Sequence, residues 1–178
     1  MNTKRGYLVI MLMLAIFALS VGLLVAVPVW QTQLRREQEE ELIFRGNQYV
    51  EAVRLYLLKN PGRYPSSLKE LLEKRCIRKL YKDPMTTTGE WNVVLNPGTT
   101  PSAAGGASGA QQEVLLVPEK LLPSVEQPVV LGVASPSQKQ SVRIYNDQET
   151  YDKWLFFYGQ DPEKLPKITH YGEKEKAS

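Results

Sequence analysis

The sequence predicts an α+β fold in which one long N-terminal helix packs on a small antiparallel β-sheet. Three observations predict it. An unbroken apolar run covers residues 7–27, and only Ser20 and Gly22 interrupt its large side chains. A second, amphipathic helical pattern covers residues 31–59 and follows the run with no loop between. Past Gly89 the pattern changes to short alternating stretches separated by Gly, Pro, Ser and Asn, which is how strands and turns read.

The totals narrow the function classes. The 178 residues suffice for one domain plus a membrane segment. Mean hydropathy is −0.29 even with the apolar run included, so the remainder has the composition of an ordinary soluble protein. Net charge is +3, with Lys and Arg dispersed among Asp and Glu. No basic stripe is present, so no nucleic-acid partner is expected. The single Cys76 excludes an intrachain disulfide, and the single His170 leaves no His/Cys metal cluster. No nucleophile–base pair or paired carboxylates stand out. The chain is therefore not read as an enzyme, and no catalytic, cofactor-binding or metal residue is assigned. Cys76 has Lys74, Arg75 and Arg78 beside it, which favours its thiolate. It lacks a base, however, because His170 belongs to a loose tail.

At about 1.5 Å per residue the run 7–27 makes a helix of roughly 30 Å, the thickness of a bilayer's hydrocarbon core. Tyr7 and Trp30 bracket it as interface anchors do. Three readings compete for the stub before it, which carries Lys4, Arg5 and Gly6. A secretory signal peptide has a basic start but a shorter apolar stretch, and Leu24-Val25-Ala26 is a poor cleavage site. A single-pass anchor would keep Lys4 and Arg5 cytoplasmic and leave the C-terminal bulk outside. The third reading takes Lys4-Arg5-Gly6 as a processing junction directly before the apolar run.

In the second helical stretch, Leu42, Tyr49, Val50, Val53, Tyr56 and Leu57 recur at spacings of three and four. The charges between them read in two ways. One is a solvated face with local ion pairs, each contributing a few tenths of a kcal/mol. The other is contact between neighbouring subunits, with Arg35 and Arg36 complementing Glu39, Glu40 and Glu41 at an axial stagger. Asn60-Pro61-Gly62 ends the helix. Ser66 or Ser67 then caps a short helix whose buried face carries Leu68, Leu71 and Leu72. Residues 81–86 read as an extended stretch and turn.

Strands are predicted over 90–95, 128–134, 141–145 and 153–158, connected through 135–140 and 146–152 as an antiparallel meander on the outer half of the long helix. Residues 96–112 are rich in Pro, Gly, Ala and Ser and read as a mobile loop; the charged stretch 172–178 reads as a disordered tail. Asp147, Glu149 and Asp152 offer oxygens, but too few for a Ca²⁺ loop, and a solvated hairpin turn is the reading there. Trp91, Trp154, Phe156, Phe157 and Tyr158 read as core and rim residues.

Several pieces occur in a specific order. They are the Lys4-Arg5-Gly6 junction, Pro28, the pattern Gln48, Tyr49, Ala52, Tyr56, then Gly62-Arg63-Tyr64-Pro65 with Ser67-Leu68, then Leu71-Leu72, then Asp83-Pro84-Met85-Thr86. This order resembles the type II secretion pseudopilins and type IV pilins over residues 1–96, and is most similar to the major pseudopilin group. The resemblance implies a pilin-like fold with a transmembrane-to-periplasmic helix. It implies that a prepilin peptidase removes leader 1–6 after Gly6 and methylates Tyr7. It divides the rest into a transmembrane helix segment 7–29 kinked at Pro28, a periplasmic helix 30–59, a globular domain 60–171 and the tail. Assembly would use Met11, Ala15, Ala18 and Gly22 in the membrane, where small residues permit close approach, and Arg35, Arg36, Glu39, Glu40 and Glu41 outside it.

The implied function is that of a structural subunit of a type II secretion pseudopilus, anchored once in a bacterial inner membrane with its C-terminal domain in the periplasm. Implied partners are other pseudopilin subunits of the same and different kinds and the inner-membrane assembly platform. One departure is plain. Met11 stands where the family usually has a glutamate, a carboxylate thought to meet a neighbour's N-terminal amine, which points to a tip or accessory position. The family's calcium loop has no counterpart here either. A type IV pilus minor pilin, and a membrane-tethered periplasmic binding or scaffold domain that does not assemble, are the alternatives.

Overall fold

A computed structural model describes residues 3–97, 113–160 and 165–172, without the side chains of 3–6 and 24–29. Most of the predicted loop 96–112 and of the tail 172–178 lies outside the described residues, as does the start of the leader. Helix α1 covers Thr3–Lys59, and the chain divides into two compact units, Met1–Glu37 and Gln38–Ser178.

In the first unit every described side chain from Tyr7 to Leu23 is exposed. The predicted membrane segment 7–29 is not recovered as such: among the described residues, no helix is long and apolar enough to cross a membrane. The apolar run continues past Leu23 into residues whose side chains lie outside the description. The helix assignment passes through Pro28 without interruption, so the proline does not end α1; its ring, at the predicted kink, lies outside the description as well.

The second unit is built on the C-terminal part of α1. Leu42, Tyr49, Ala52, Val53 and Tyr56 are buried, at the predicted spacing. The helix stops after Lys59 because the next residues turn: the Asn60 N–H donates to the Tyr56 carbonyl at 2.9 Å, and Gly62 adopts φ of 79°. Helix α2, Leu68–Glu73, is capped by Ser67, whose hydroxyl accepts from the Glu70 N–H at 3.2 Å. Glu70 reaches back to the Ser66 N–H at 2.7 Å and accepts from the Tyr56 hydroxyl, tying α2 to α1. Leu68 and Leu71 are buried, whereas Leu72 is exposed because it lies one helical step beyond the packed face.

The strands are β1 (Asn92–Leu95), β2 (Glu113–Pro118), β3 (Val130–Ala134), β4 (Gln140–Tyr145), β5 (Gln148–Thr150), β6 (Leu155–Phe157) and β7 (Lys167–His170). Five form one sheet in the order β6-β3-β1-β2-β7, antiparallel except for the parallel β2–β7 pair. This corrects the predicted meander. The strand predicted at 141–145 leaves the main sheet and pairs with β5 in a separate hairpin. Its turn residues Asn146 and Asp147 take φ of 48° and 57°, a conformation that Asn and Asp tolerate better than other side chains.

The sheet carries an apolar cluster on each face. Val93, Leu95, Val117, Val133 and Phe156 join the cluster that includes the α1 residues. Val94, Val114, Leu116, Leu131, Ala134, Leu155 and Phe157 form the other. Two glycines set the closest approaches. A Cβ on Gly46 would stand 2.3 Å from Cγ of Phe156, so α1 rests directly on the β6 ring. A Cβ on Gly132 would stand 1.9 Å from the Phe156 carbonyl oxygen, so β3 and β6 meet without room for a side chain.

Candidate functional site

The first unit presents one surface of functional interest. From Tyr7 to Leu23 the large side chains of α1 are exposed by between 46% at Val21 and 70% at Met13 and Phe17, and they lie on all sides of the helix. A helix that is apolar all round belongs in a protein core or in lipid. Among the described residues of the unit nothing covers it. Tyr7 and Met11 are exposed at 62% and 57%, Ala15 and Ala18 are exposed too, and a Cβ on Gly22 would meet nothing within 4 Å. Ala15, Ala18 and Gly22 thus leave shallow places where another backbone can come close. The polar atom of Ser20 is satisfied internally: its hydroxyl donates to the Ile16 carbonyl at 2.8 Å, as it must in an apolar surrounding. Gly6 falls inside α1, with its surroundings outside the description. Arg35 and Arg36 are exposed and make no ion pair among the described residues.

Within the acidic block, Glu41 makes a local ion pair of the kind the first reading expects, whereas Glu39 departs from both readings. Glu39 is neither solvated nor at a subunit surface: it is fully buried in the second unit. One carboxylate oxygen accepts from the Val142 N–H at 2.6 Å and from the Tyr151 hydroxyl at 2.7 Å, and the other accepts from the Arg143 N–H at 3.2 Å. Two consecutive N–H groups of β4, where its pairing with β5 is irregular, thus donate to one carboxylate. Glu40 pairs with Arg143 at 2.6 Å, and Glu41 with Arg45 at 2.7 Å. Of the three acids, Glu39 alone is inside the second unit; Glu39 and Glu40 hold the β4–β5 hairpin on α1, and Glu40 and Glu41 form ion pairs at the surface. The signal for this was periodic: positions 39, 42, 46, 49, 53 and 56 alternate in steps of three and four, so Glu39 and Gly46 share the phase of the buried stripe.

Residues 81–86 are fixed to α1 by polar contacts. The Tyr81 carbonyl accepts from the Tyr49 hydroxyl at 2.9 Å and from Trp91 Nε1 at 2.8 Å, and Arg45 donates to the Lys82 carbonyl at 2.6 Å. Burial pushes the Tyr49 phenol above its ordinary range. Asp83 is buried and accepts from the Met85 N–H at 2.8 Å and the Ser135 hydroxyl at 2.7 Å. Burial raises its carboxyl, and these hydrogen bonds work against the rise. This Asp joins the segment before β1 to the end of β3.

Among the described residues no group of three or more His, Cys, Asp or Glu side chains could hold a metal ion. Asp147 and Glu149 are exposed on the hairpin, while Asp152 Oδ1 and Thr150 Oγ1 are buried without a hydrogen-bond partner among the described residues. Cys76 is buried. A groove of about 460 Å³ lies between α2 and the turn Glu119–Ser124, lined by Leu68 and Leu122, by Glu90 and Glu119, and by Lys69 and Lys120. Compared with family models, with curated proteins and with solved structures, the chain matches none.

Proposed function

We propose that this chain is a structural subunit of a pilin-like filament, a short periplasmic pseudopilus of the type II secretion kind, and that it performs no chemistry of its own. The observation that carries the reading is the all-round exposure of apolar side chains from Tyr7 to Leu23. Left in water, such a surface costs about 25 cal/mol for each Å² of apolar area, so it requires lipid, other helices, or both in succession. A pilin-like life cycle supplies both: the helix rests in the membrane after synthesis and moves into a bundle of like helices on assembly. The small residues Ala15, Ala18 and Gly22 suit the second state, and the apolar length 7–27 suits the first. Prepilin peptidase is the proposed processing partner, acting after Gly6 and leaving Tyr7 as the new terminus. Met11, where a carboxylate is usual, favours an accessory place over one in an ordinary filament shaft.

Cross-linking within membranes tests assembly. In a Cys76→Ser background, Ala15→Cys or Ala18→Cys should give disulfide-linked species when the chain is coexpressed with a secretion assembly platform. Cross-links that are absent at both positions, with the protein present in the membrane, would favour the tethered domain that never assembles.

A further inference from the structure

We infer that the groove between α2 and the turn Glu119–Ser124 is the socket for Leu34 and Arg35 of a second copy of this chain. The inference rests on the assembly reading above and specifies where two subunits meet outside the apolar helices. It starts from charges left over inside one copy. Arg35 and Arg36 stand next to an acidic run, yet that run is spent: Glu39 is buried under the hairpin, Glu40 holds Arg143, and Glu41 holds Arg45. Of the acids close by, Glu37 alone is exposed and without an ion pair among the described residues. The exposed Leu34 lies beside the two arginines. The segment therefore offers an apolar side chain and uncompensated guanidinium charge side by side.

The groove offers the complement. Leu68 and Leu122, both buried, form an apolar base, and its volume of about 460 Å³ admits side chains of a partner rather than a whole helix. Glu90 and Glu119 stand along it. Lys120 pairs with Glu90 at 2.8 Å, which leaves Glu119 half-buried with a side chain that makes no hydrogen bond or ion pair among the described residues. Burial, and then the neighbouring Glu90, raise the Glu119 carboxyl, and Lys69, which also lines the groove, opposes this in part. A guanidinium suits such a place better than an ammonium. It is weakly hydrated, its planar face lies against apolar carbon, and its forked N–H groups reach a carboxylate with two bonds. Leu34 would add apolar contact at the base.

Two differently tagged full-length copies, both Cys76→Ser, test the contact: one carries Leu34→Cys, the other Leu121→Cys, a position between groove residues Lys120 and Leu122. A mixed disulfide between the tags is expected. Glu119→Arg should lower its yield about tenfold, with an unchanged melting temperature, and adding Arg35→Glu to the other copy should restore it. A mixed disulfide insensitive to Glu119→Arg would overturn the inference. So would its absence while Ala18→Cys copies still cross-link, and in that case assembly through the apolar helix stands. Absence of both cross-links removes the assembly reading and this contact with it.

Discussion

Replacing Glu39 by Ala isolates the interaction that holds the β4–β5 hairpin to α1. The carboxylate accepts from the Val142 N–H, the Arg143 N–H and the Tyr151 hydroxyl, and is itself inaccessible to solvent. Without it, the buried Tyr151 hydroxyl loses this acceptor in a place water does not reach, at about 1–3 kcal/mol. The two backbone donors are only partly buried, so water recovers part of their loss, and each contributes about 0.5–1.5 kcal/mol. Removing the carboxylate also relieves the cost of keeping it from water, which offsets some of the loss. A net destabilisation of about 2–4 kcal/mol follows. Glu39→Gln should cost less, about 1–2 kcal/mol, because its amide oxygen still accepts two bonds while its NH₂ faces a donor. Urea unfolding of the detergent-solubilised chain, followed by tryptophan fluorescence, provides the assay. Trp154 is fully buried and stands edge-on to Tyr151 at a centroid distance of 5.3 Å, so it reports this region. An Ala variant within about 0.5 kcal/mol of the parent would refute the reasoning, since that is the range of an inert surface change.

Gly46→Ala sets two effects of opposite sign against each other. Helix propensity alone would gain about 1 kcal/mol, but the new Cβ meets the Phe156 ring at 2.3 Å, and overpacking of that kind costs about 1–3 kcal/mol; a lowered urea midpoint is expected, and a raised one would mean the helix moves away freely. The Tyr56–Glu70 hydrogen bond makes stability depend on pH at both extremes. It carries the Tyr56 phenol from its ordinary 10.0 to about 12, so this contribution is complete below 10 and is lost as pH rises through 12; burial also raises the Tyr49 and Tyr145 phenols, so ultraviolet titration should show several tyrosines ionising late, and Tyr56→Phe should reduce that late step by one tyrosine. Although burial pushes the Glu70 carboxyl up, hydrogen bonds from Tyr56 and Ser66 hold it below its ordinary value. Its contribution is therefore present above the usual carboxylate range and lost as pH falls through the folded value, and melting temperatures of Glu70→Gln should be flatter than those of the parent at acid pH.

What the sequence discloses follows from how locally each feature is determined. The buried stripe Leu42, Tyr49, Val53, Tyr56 and the stop at Asn60 were legible because periodicity and turn chemistry act over a few residues. Glu39 and Gly46 share that stripe's phase, but their polarity and size hid them; their meaning depends on Val142, Tyr151 and Phe156, about a hundred residues away. Strand β2 was missed because Val114, Leu115, Leu116 and Val117 follow directly on the Gly- and Ser-rich stretch and are closed by Pro118. Strand β7 is short and partly polar, and its parallel pairing with β2 leaves no local trace. The meander failed at β4, where Val142 and Ile144 suggested a sheet face although both side chains are exposed. For the candidate site, Ala15, Ala18 and Gly22 could be picked out from the sequence. The local Glu41–Arg45 pair is of the kind the sequence suggests, whereas the partners of Glu39 and Glu40 on β4, about a hundred residues away, left no local trace.

The most direct test of the account is the intact mass of the mature chain after coexpression with a prepilin peptidase. The account predicts a chain that begins at N-methylated Tyr7, and a Gly6→Ala variant that keeps its full length. A parent chain that still begins at Met1 in the presence of an active peptidase would contradict it, and would leave the apolar helix as an anchor alone.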